Sequence, residues 1–546
     1  MKVKALILLA LCVVPLAAAQ PPTVDVVDLR GADLKARLLM LSLEGIVNRE
    51  GPRLYVLWES VRVKFPASER WLEYYRRKGW ISGYRLVGFW EAVEKYRHYV
   101  KGAVVYDPAL PATINVAASL AGVEDLVIAH PDYVPKLNEL GIEVKIDLRG
   151  RFRSSREAHE WQLEHVFPRC NKSLLYYFPT MREVAIYRVS LLDYAVSYRA
   201  CSIGLRLTAD KDLIGRYYEG LEKFALVIGY PERAKLERPW VEYTSKYGLL
   251  NVLGTGLAPN LSFHSRIPAR RRFEQEHRKL EPKPGKIYIA FAVTDLGLNS
   301  MQDFYYEMWL SHSRGKVPIS WWLDPITADI CPGIVQYYYE TKTPNDYFYS
   351  AHVGGRIRPS DFPYLEEYLE RGQEYLDRCS LRVVAFSNHN LRDDRVLKLY
   401  SEKLDIEGFV FGFGPEFEDE YWLVGDKVWV IPRFVGSPGA AYLAVKGYIE
   451  THPERPLFIV VGIGLWHYPT VEQVIWLKER LQEDYGDQVV FCRLDELVSA
   501  AKSYAQRARR PRDHLPLLPI LIALLALAAV AALFYLCRRR MLAAEA

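Results

Sequence analysis

The chain has 546 residues, half of them hydrophobic and a quarter charged, with 71 Lys and Arg against 66 Asp and Glu for a net charge of +5. That length supplies two or three domains with cores of their own. The balance excludes a disordered polymer, a collagen-like or disulfide-stapled miniprotein, and a protein held to nucleic acid by bulk charge. Aromatic residues are plentiful, with 37 Tyr, 21 Phe and 13 Trp; such rings fill cores and also stack on sugar faces.

Residues Met1–Ala19 read as a cleaved secretory signal: Lys2 and Lys4, an apolar run Ala5–Leu16, then the small residues Ala17–Ala19. From Val24 to about Gly150, β-rich runs (Arg53–Trp58, Tyr84–Phe89, Ala103–Tyr106, Asp125–Ala129, Val144–Leu148) alternate with helical stretches such as Leu34–Asn48 and Glu69–Lys78. This alternation predicts a parallel sheet covered by helices. No GxGxxG follows any of these strands. Beyond them, Ser155–Phe167, Met181–Ala200 and Lys211–Phe224 read as helices around one strand, Ala225–Ile228. Residues 24–280 are thus expected to form an N-terminal α/β domain with a helical second half, ended by a Pro282–Gly285 linker.

Residues 286–500 then give a regular series of strands: Lys286–Thr294, Val317–Leu323, Tyr347–Val353, Leu381–Ser387, Gly408–Phe413, Lys427–Ile431, Leu457–Gly462 and Gln488–Cys492. Eight strands with intervening helices predict a βα-barrel-like, TIM-like domain of seven to eight strands, with an open doubly wound sheet as the alternative. Residues 501–514 read as a basic juxtamembrane linker. Leu515–Cys537 is uncharged and, at 1.5 Å per residue, roughly 35 Å long as a helix, which predicts a single transmembrane span. Arg538–Ala546 would be a cytoplasmic tail. The expected location is therefore the cell membrane, single-pass, with the body extracytoplasmic and the C-terminal helix in contact with lipid. Cys170 with Cys201 is the first disulfide to consider, and Asn171 and Asn260 head glycosylation sequons.

In a βα barrel the working groups stand at the C-terminal ends of the strands. Those positions hold Asp295 and Asn299, Asp324, His352 with Arg356 and Arg358, Asn388 with His389 and Asn390, Glu416 with Glu418, Arg433, and Trp466 with His467. Polar groups recur at nearly every strand end, although any strand must end in something polar.

Several segments bring a family into view. Leu41–Arg49 followed by Pro52–Tyr55, then Leu192–Ala195, Asn260–His264, Tyr288–Asp295, Pro318–Trp321 with Asp324-Pro325, and Pro344–Asp346 occur in order. In these the chain resembles the GxGYxYP proteins, a family classed as candidate glycoside hydrolases, over roughly residues 25–500. Two motifs depart from the family pattern. Its acidic DGDN-like site reads Asp295-Leu-Gly-Leu-Asn299, keeping the first acid and the Asn. Its name-giving segment reads Val353-Gly-Gly-Arg-Ile-Arg-Pro359, with Arg356 and Arg358 where the family has tyrosines. Guanidinium forks in place of hydroxyl-bearing rings imply an anionic sugar if that segment binds substrate.

Glycoside hydrolysis needs two carboxyl groups across the bond, one protonated. Asp295, Asp324 and Glu416 are the candidate catalytic residues. Asn299, Trp322, His352, Arg356, Arg358, Asn388, His389, Trp466 and His467 are the candidate substrate-binding residues. Trp322 and Trp466 are the candidate stacking platforms. No metal or cofactor is expected, although Asp295, His352, His389 and His467 leave open a metal-dependent deacetylase-like reading. The bland alternatives are that Asp324 caps a turn before Pro325, that Glu416–Glu420 is a solvated loop, and that the arginines form a salt-bridged pair. The expected partner is a carbohydrate or glycan and not nucleic acid. The leading function is a carbohydrate-processing hydrolase; the alternative is a non-catalytic carbohydrate-binding surface protein on the same scaffold.

Overall fold

The computed structural model describes residues 20–59, 67–179, 189–252, 258–294, 297–305, 307–387, 393–411, 421–430, 432–467 and 469–509. The N-terminal half is built on three separate parallel sheets rather than one. The first joins β1 (Thr23–Asp28), β2 (Leu54–Leu57) and β3 (Gly83–Leu86) in the order β2-β1-β3. The second joins β4 (Gly102–Val105), β5 (Leu126–Ala129) and β6 (Val144–Asp147) as β5-β4-β6. The third joins β7 (Asn171–Tyr177), β8 (Ala200–Ile203), β9 (Leu226–Gly229) and β10 (Leu250–Val252) as β10-β9-β7-β8.

The segments that carried the family likeness tie these layers together through a buried polar seam. Asn48 accepts from the Arg53 and Leu54 amides, each at 3.0 Å, and donates to Ser262 Oγ at 3.2 Å. Asp193 accepts from the Ser262 amide at 2.7 Å, and His264 Nδ1 pairs with the Tyr75 hydroxyl at 2.8 Å. Gly45 has no alternative here, since a Cβ would lie 2.3 Å from the Asp193 carbonyl. Asn260 is wholly buried, with its amide bonded to both backbone groups of Val56, so in the fold its sequon is closed to a glycan.

The C-terminal half is a ten-stranded sheet. Its strands are β11 (Ile287–Thr294), β12 (Ile319–Leu323), β13 (Asp346–Ser350), β14 (Val383–Phe386), β15 (Gly408–Phe411), β16 (Tyr421–Val424), β17 (Lys427–Val430), β18 (Pro432–Gly436), β19 (Leu457–Gly464) and β20 (Val489–Cys492). The order is β16-β17-β15-β14-β13-β12-β11-β19-β18, with β20 against the first half of β11 and only β16 antiparallel. At the centre, β11 and β19 pair from Ile287↔Leu457 to Thr294↔Gly464, every residue buried, as expected where both faces of a parallel sheet are covered. The sheet is curled. Val460, Thr294, Trp322, Tyr349, Phe386 and Val410, from six successive strands, line one narrow cavity. Laid flat at about 4.8 Å per strand, those strands would span roughly 24 Å.

Four expectations need correction. The barrel-like, TIM-like expectation gives way to a curled sheet nearer the open alternative, because among the described residues no pairing joins its edge strands β18 and β16. Residues 501–509, read as linker, continue the helix Leu494–Arg509, which packs under β11, β13, β14, β15 and β17. Its start is fixed by the Leu494 amide on Ser320 Oγ at 2.9 Å and by the buried Arg493–Asp495 ion pair at 2.5 Å. The third correction concerns the membrane: no helix among the described residues is long and apolar enough to cross one. The single-pass anchor, its lipid contact and the cell-membrane location are therefore not carried forward; residues 1–19 and 515–537, on which they rested, lie outside the described residues. Finally, Cys170 and Cys201 are free and buried, like the other three described cysteines; the Cys170 thiol donates to the Val166 carbonyl at 3.5 Å and Cys201 accepts from the Ser119 hydroxyl at 3.7 Å.

Candidate active site at the mouth of the curled sheet

Asp324 follows β12 directly and turns the chain into the short helix Thr327–Ile330, whose Thr327 amide and hydroxyl both bond the Asp324 carbonyl, at 3.0 and 2.6 Å. Its carboxylate oxygen accepts from the Ile326 amide and from the Gly355 amide, each at 3.3 Å. The first of these is the turn-capping role anticipated from Asp-Pro. The second is long-range and brings the family's name-giving segment against the acid. Part of the residue reaches solvent, but protein surrounds the carboxyl; that enclosure outweighs two long hydrogen bonds and pushes its pKa up to about 7.

Two residues before Asp324, the Trp322 ring meets Tyr349 and His352 edge-on, with centroids 6.0 and 5.8 Å away. Trp322 is 7% exposed, so it floors the mouth and offers no open face for stacking. Burial, with the Arg356 charge nearby, lowers His352 to about 3 and keeps the imidazole neutral at ordinary pH. Among the described residues no group of three or more His, Cys, Asp or Glu could hold a metal ion.

Arg356 and Arg358 do not face the mouth as free cations. Arg356 pairs with Glu237, and its backbone exchanges hydrogen bonds of 3.0 and 2.8 Å with Asn251 of β10. Arg358 lies 3.1 Å from both Glu242 and Asp361, and its amide donates to Ser245 Oγ at 2.8 Å. Together they clasp the sheet domain to the helix Glu237–Lys246. This is the salt-bridged alternative, and it withdraws the reason for expecting an anionic sugar at those two positions.

The other candidates are scattered or beyond description. Asn299 is buried on the helix Leu298–Gln302, and His467 is exposed on the turn Leu465–His467. Asp295, Asn388, His389, Asn390, Glu416 and Glu418 lie outside the described residues, as do the side chains of Arg433 and Trp466. Two tyrosines went unnoticed in the sequence. Tyr349 donates to the Val293 carbonyl at 3.0 Å, and Tyr368 donates to the Gly355 carbonyl at 2.9 Å, holding the segment whose amide meets Asp324. Tyr368 sits in a helical core stripe, where nothing in the sequence sets it apart. A larger open groove of about 770 Å³, between Lys398–Asp405 and the β16–β17 turn, lies at the opposite end of the strands and holds none of the candidates.

A multi-layered α/β protein, with a curled parallel sheet and a buried acid at the sheet's C-terminal edge, is the class these features define. The chain belongs to the GxGYxYP family. Residues 285–502 match the "GxGYxYP putative glycoside hydrolase C-terminal domain", 23–98 the "GxGYxYP_N 1st domain" and 100–170 the "GxGYxYP_N second domain". A crystal structure described as a putative hydrolase from Bacteroides thetaiotaomicron VPI-5482 shares the fold at 20% identity, with a TM-score of 0.74 over 88% of this chain and 95% of that one. A structure described as a putative polysaccharide deacetylase from Mycobacterium smegmatis is similar over 43% of this chain and 96% of that one, at 15% identity and a TM-score of only 0.29. No curated protein matches the chain.

Proposed function

We propose that the protein hydrolyses glycosidic bonds at the mouth of the curled sheet, with Asp324 as the general acid. The observation that carries this reading is the Asp324 carboxyl itself: placed where working groups of βα sheets stand, and raised by burial to about 7. A carboxyl with that pKa still holds its proton near neutrality and can pass it to the leaving oxygen as the bond to carbon breaks. Neutral His352 and the Gly355 amide orient the acid's surroundings without supplying a competing charge. The second carboxyl that such chemistry requires is sought at Asp295 or Glu416, the acids expected at the same rim.

The test is a screen of the full chain on neutral and anionic glycans beside Asp324→Asn. Turnover that falls by about 100-fold or more in the variant supports the assignment, that being the size of contribution a positioned acid makes. Turnover that survives unchanged removes Asp324 from the mechanism. Retained glycan binding with no turnover in the unaltered protein would favour the non-catalytic reading.

A further inference from the structure

The peptide that joins Gly355 to Arg356 is held at both ends. Its carbonyl accepts from the Tyr368 hydroxyl at 2.9 Å, and its N–H donates to the Asn251 carbonyl of β10 at 2.8 Å. The Asn251 amide returns a bond to the Arg356 carbonyl at 3.0 Å, so one antiparallel rung joins the two halves of the chain. The Arg356 side chain adds its ion pair with Glu237, whose other oxygen accepts from the Tyr230 hydroxyl at 2.5 Å. Gly355 makes this approach possible: φ is +93°, and a Cβ would stand 3.1 Å from Leu250 Cβ. Fixing this peptide also fixes the one before it, whose N–H, on Gly355, donates to the Asp324 carboxylate at 3.3 Å.

The segment acts on the acid in two opposed ways. Its amide favours the ionised carboxylate, and its bulk keeps water away and favours the protonated form; burial is the larger effect. The titratable groups that sense the Asp324 charge are the Tyr368 hydroxyl and the Cys379 thiol, both of which burial raises and keeps neutral. His352 and Arg356 lie on the segment itself, the first neutral and the second paired with Glu237. On the short helix after Asp324, Asp329 is taken by Arg378 at 2.6 Å and Arg271 at 3.1 Å. Enclosure, and so the clamp that maintains it, decides the state of the carboxyl.

We propose that Tyr368 and the Glu237–Arg356 pair are positioning residues for Asp324: with Asn251 of β10 they hold the Gly354–Gly355 turn against the acid, which makes the N-terminal half part of the working site. This role rests on Asp324 being the acid, and carboxyl titration of the full chain separates the two because it needs no substrate. With ¹³C-labelled aspartate, the Asp324 midpoint should fall by about 1 pH unit in Tyr368→Phe as water reaches the carboxyl. It should fall by less in Glu237→Gln. It should stay in place in Glu242→Gln, on the same helix, because Arg358 keeps Asp361. In the two clamp variants kcat/KM should hold at pH 5 and drop at pH 7, by roughly fivefold for a 1-unit shift, as the protonated fraction shrinks. Should Tyr368→Phe melt early, Glu237→Gln, at a partly exposed pair, gives the same reading. The proposal is overturned by a midpoint that stays or rises in both variants, by an equal loss of kcat/KM at both pH values, or by an unaltered Asp324 that already titrates near 4. Midpoints that fall as expected while Asp324→Asn keeps full turnover would refute the hydrolytic reading and leave the clamp standing.

Discussion

Asp324 and Asp193 are both carboxyls that burial pushes up to about 7, yet their surroundings assign them different work. Asp193 lies wholly inside beside Glu44, whose carboxyl burial also raises well above its usual range, and both of whose oxygens lack a hydrogen-bond partner. An unfolded Asp ionises above about pH 4, whereas folded Asp193 keeps its proton to about 7. Its raised pKa therefore favours the fold at low pH, and that contribution is lost as pH rises from about 4 to 7, on the order of 4 kcal/mol. Denaturant melts at pH 4.5 and 7.5 should show Asp193→Asn gaining on the unaltered protein by a few kcal/mol at the higher pH; parallel behaviour would mean that Asp193 is ionised in the fold. His264, lowered to about 3, acts with the opposite sign: stability present above pH 6.5 is lost as pH falls. At the mouth the same shift is an asset, and the basic limb of kcat/KM should fall near pH 7 as Asp324 deprotonates. Asp324 was legible in the sequence as an acid ending a strand before a proline. Its perturbation was not, because it depends on enclosure by a segment thirty residues away. The choice between anion binding and a salt-bridged pair for the two arginines was not legible for the same reason: their counter-ions Glu237 and Glu242 lie more than a hundred residues upstream.

At the scale of elements, the eight strands expected in the C-terminal half are all present, since long apolar runs such as Ile287–Thr294 and Leu457–Gly464 have one reading once both faces are buried. Other strands escaped: β10 spans three residues and β16 and β18 are edges, but β1 and the seven-residue β7 were missed as well, and β7–β10 put a four-stranded sheet where the sequence was read as a helical second half with one strand. The helix Leu365–Arg378 was legible by its buried stripe of Tyr368, Leu369, Gly372 and Leu376. Its close approach to the Val353–Gly355 segment was not. A Cβ on Gly372 would stand 2.1 Å from Val353 Cγ1 and 2.8 Å from the Val353 carbonyl. Gly372→Ala should therefore destabilise by about 1–3 kcal/mol through overpacking, despite alanine's better helix propensity. A thermal melt shifted upward would contradict this packing.

Across the whole molecule, the sequence did not reveal that the N-terminal half carries three sheets, nor decide between a barrel-like and an open C-terminal sheet. Both depend on which strands find one another, a matter of contacts between distant segments that local pattern does not encode. The helix Leu494–Arg509 is the clearest case. Read as partly linker, it packs beneath the curled sheet, with Leu497, Val498, Ala500 and Ala501 wholly buried. A chain ended at Cys492 would expose that floor and lose the Arg493–Asp495 pair together with its bonds to the Pro344 and Glu276 carbonyls. It should fail to melt cooperatively, whereas a chain ended at Arg509 should keep the described fold.

The account turns on a protonated acid at the mouth of the curled sheet, and carboxyl titration reads that directly. With ¹³C-labelled aspartate side chains in the full chain, the Asp324 and Asp193 carboxyl signals should titrate near pH 7, the first vanishing in Asp324→Asn and the second in Asp193→Asn. A signal assigned to Asp324 that titrates near 4 would place an ionised carboxylate at the mouth at neutral pH and contradict its role as the acid.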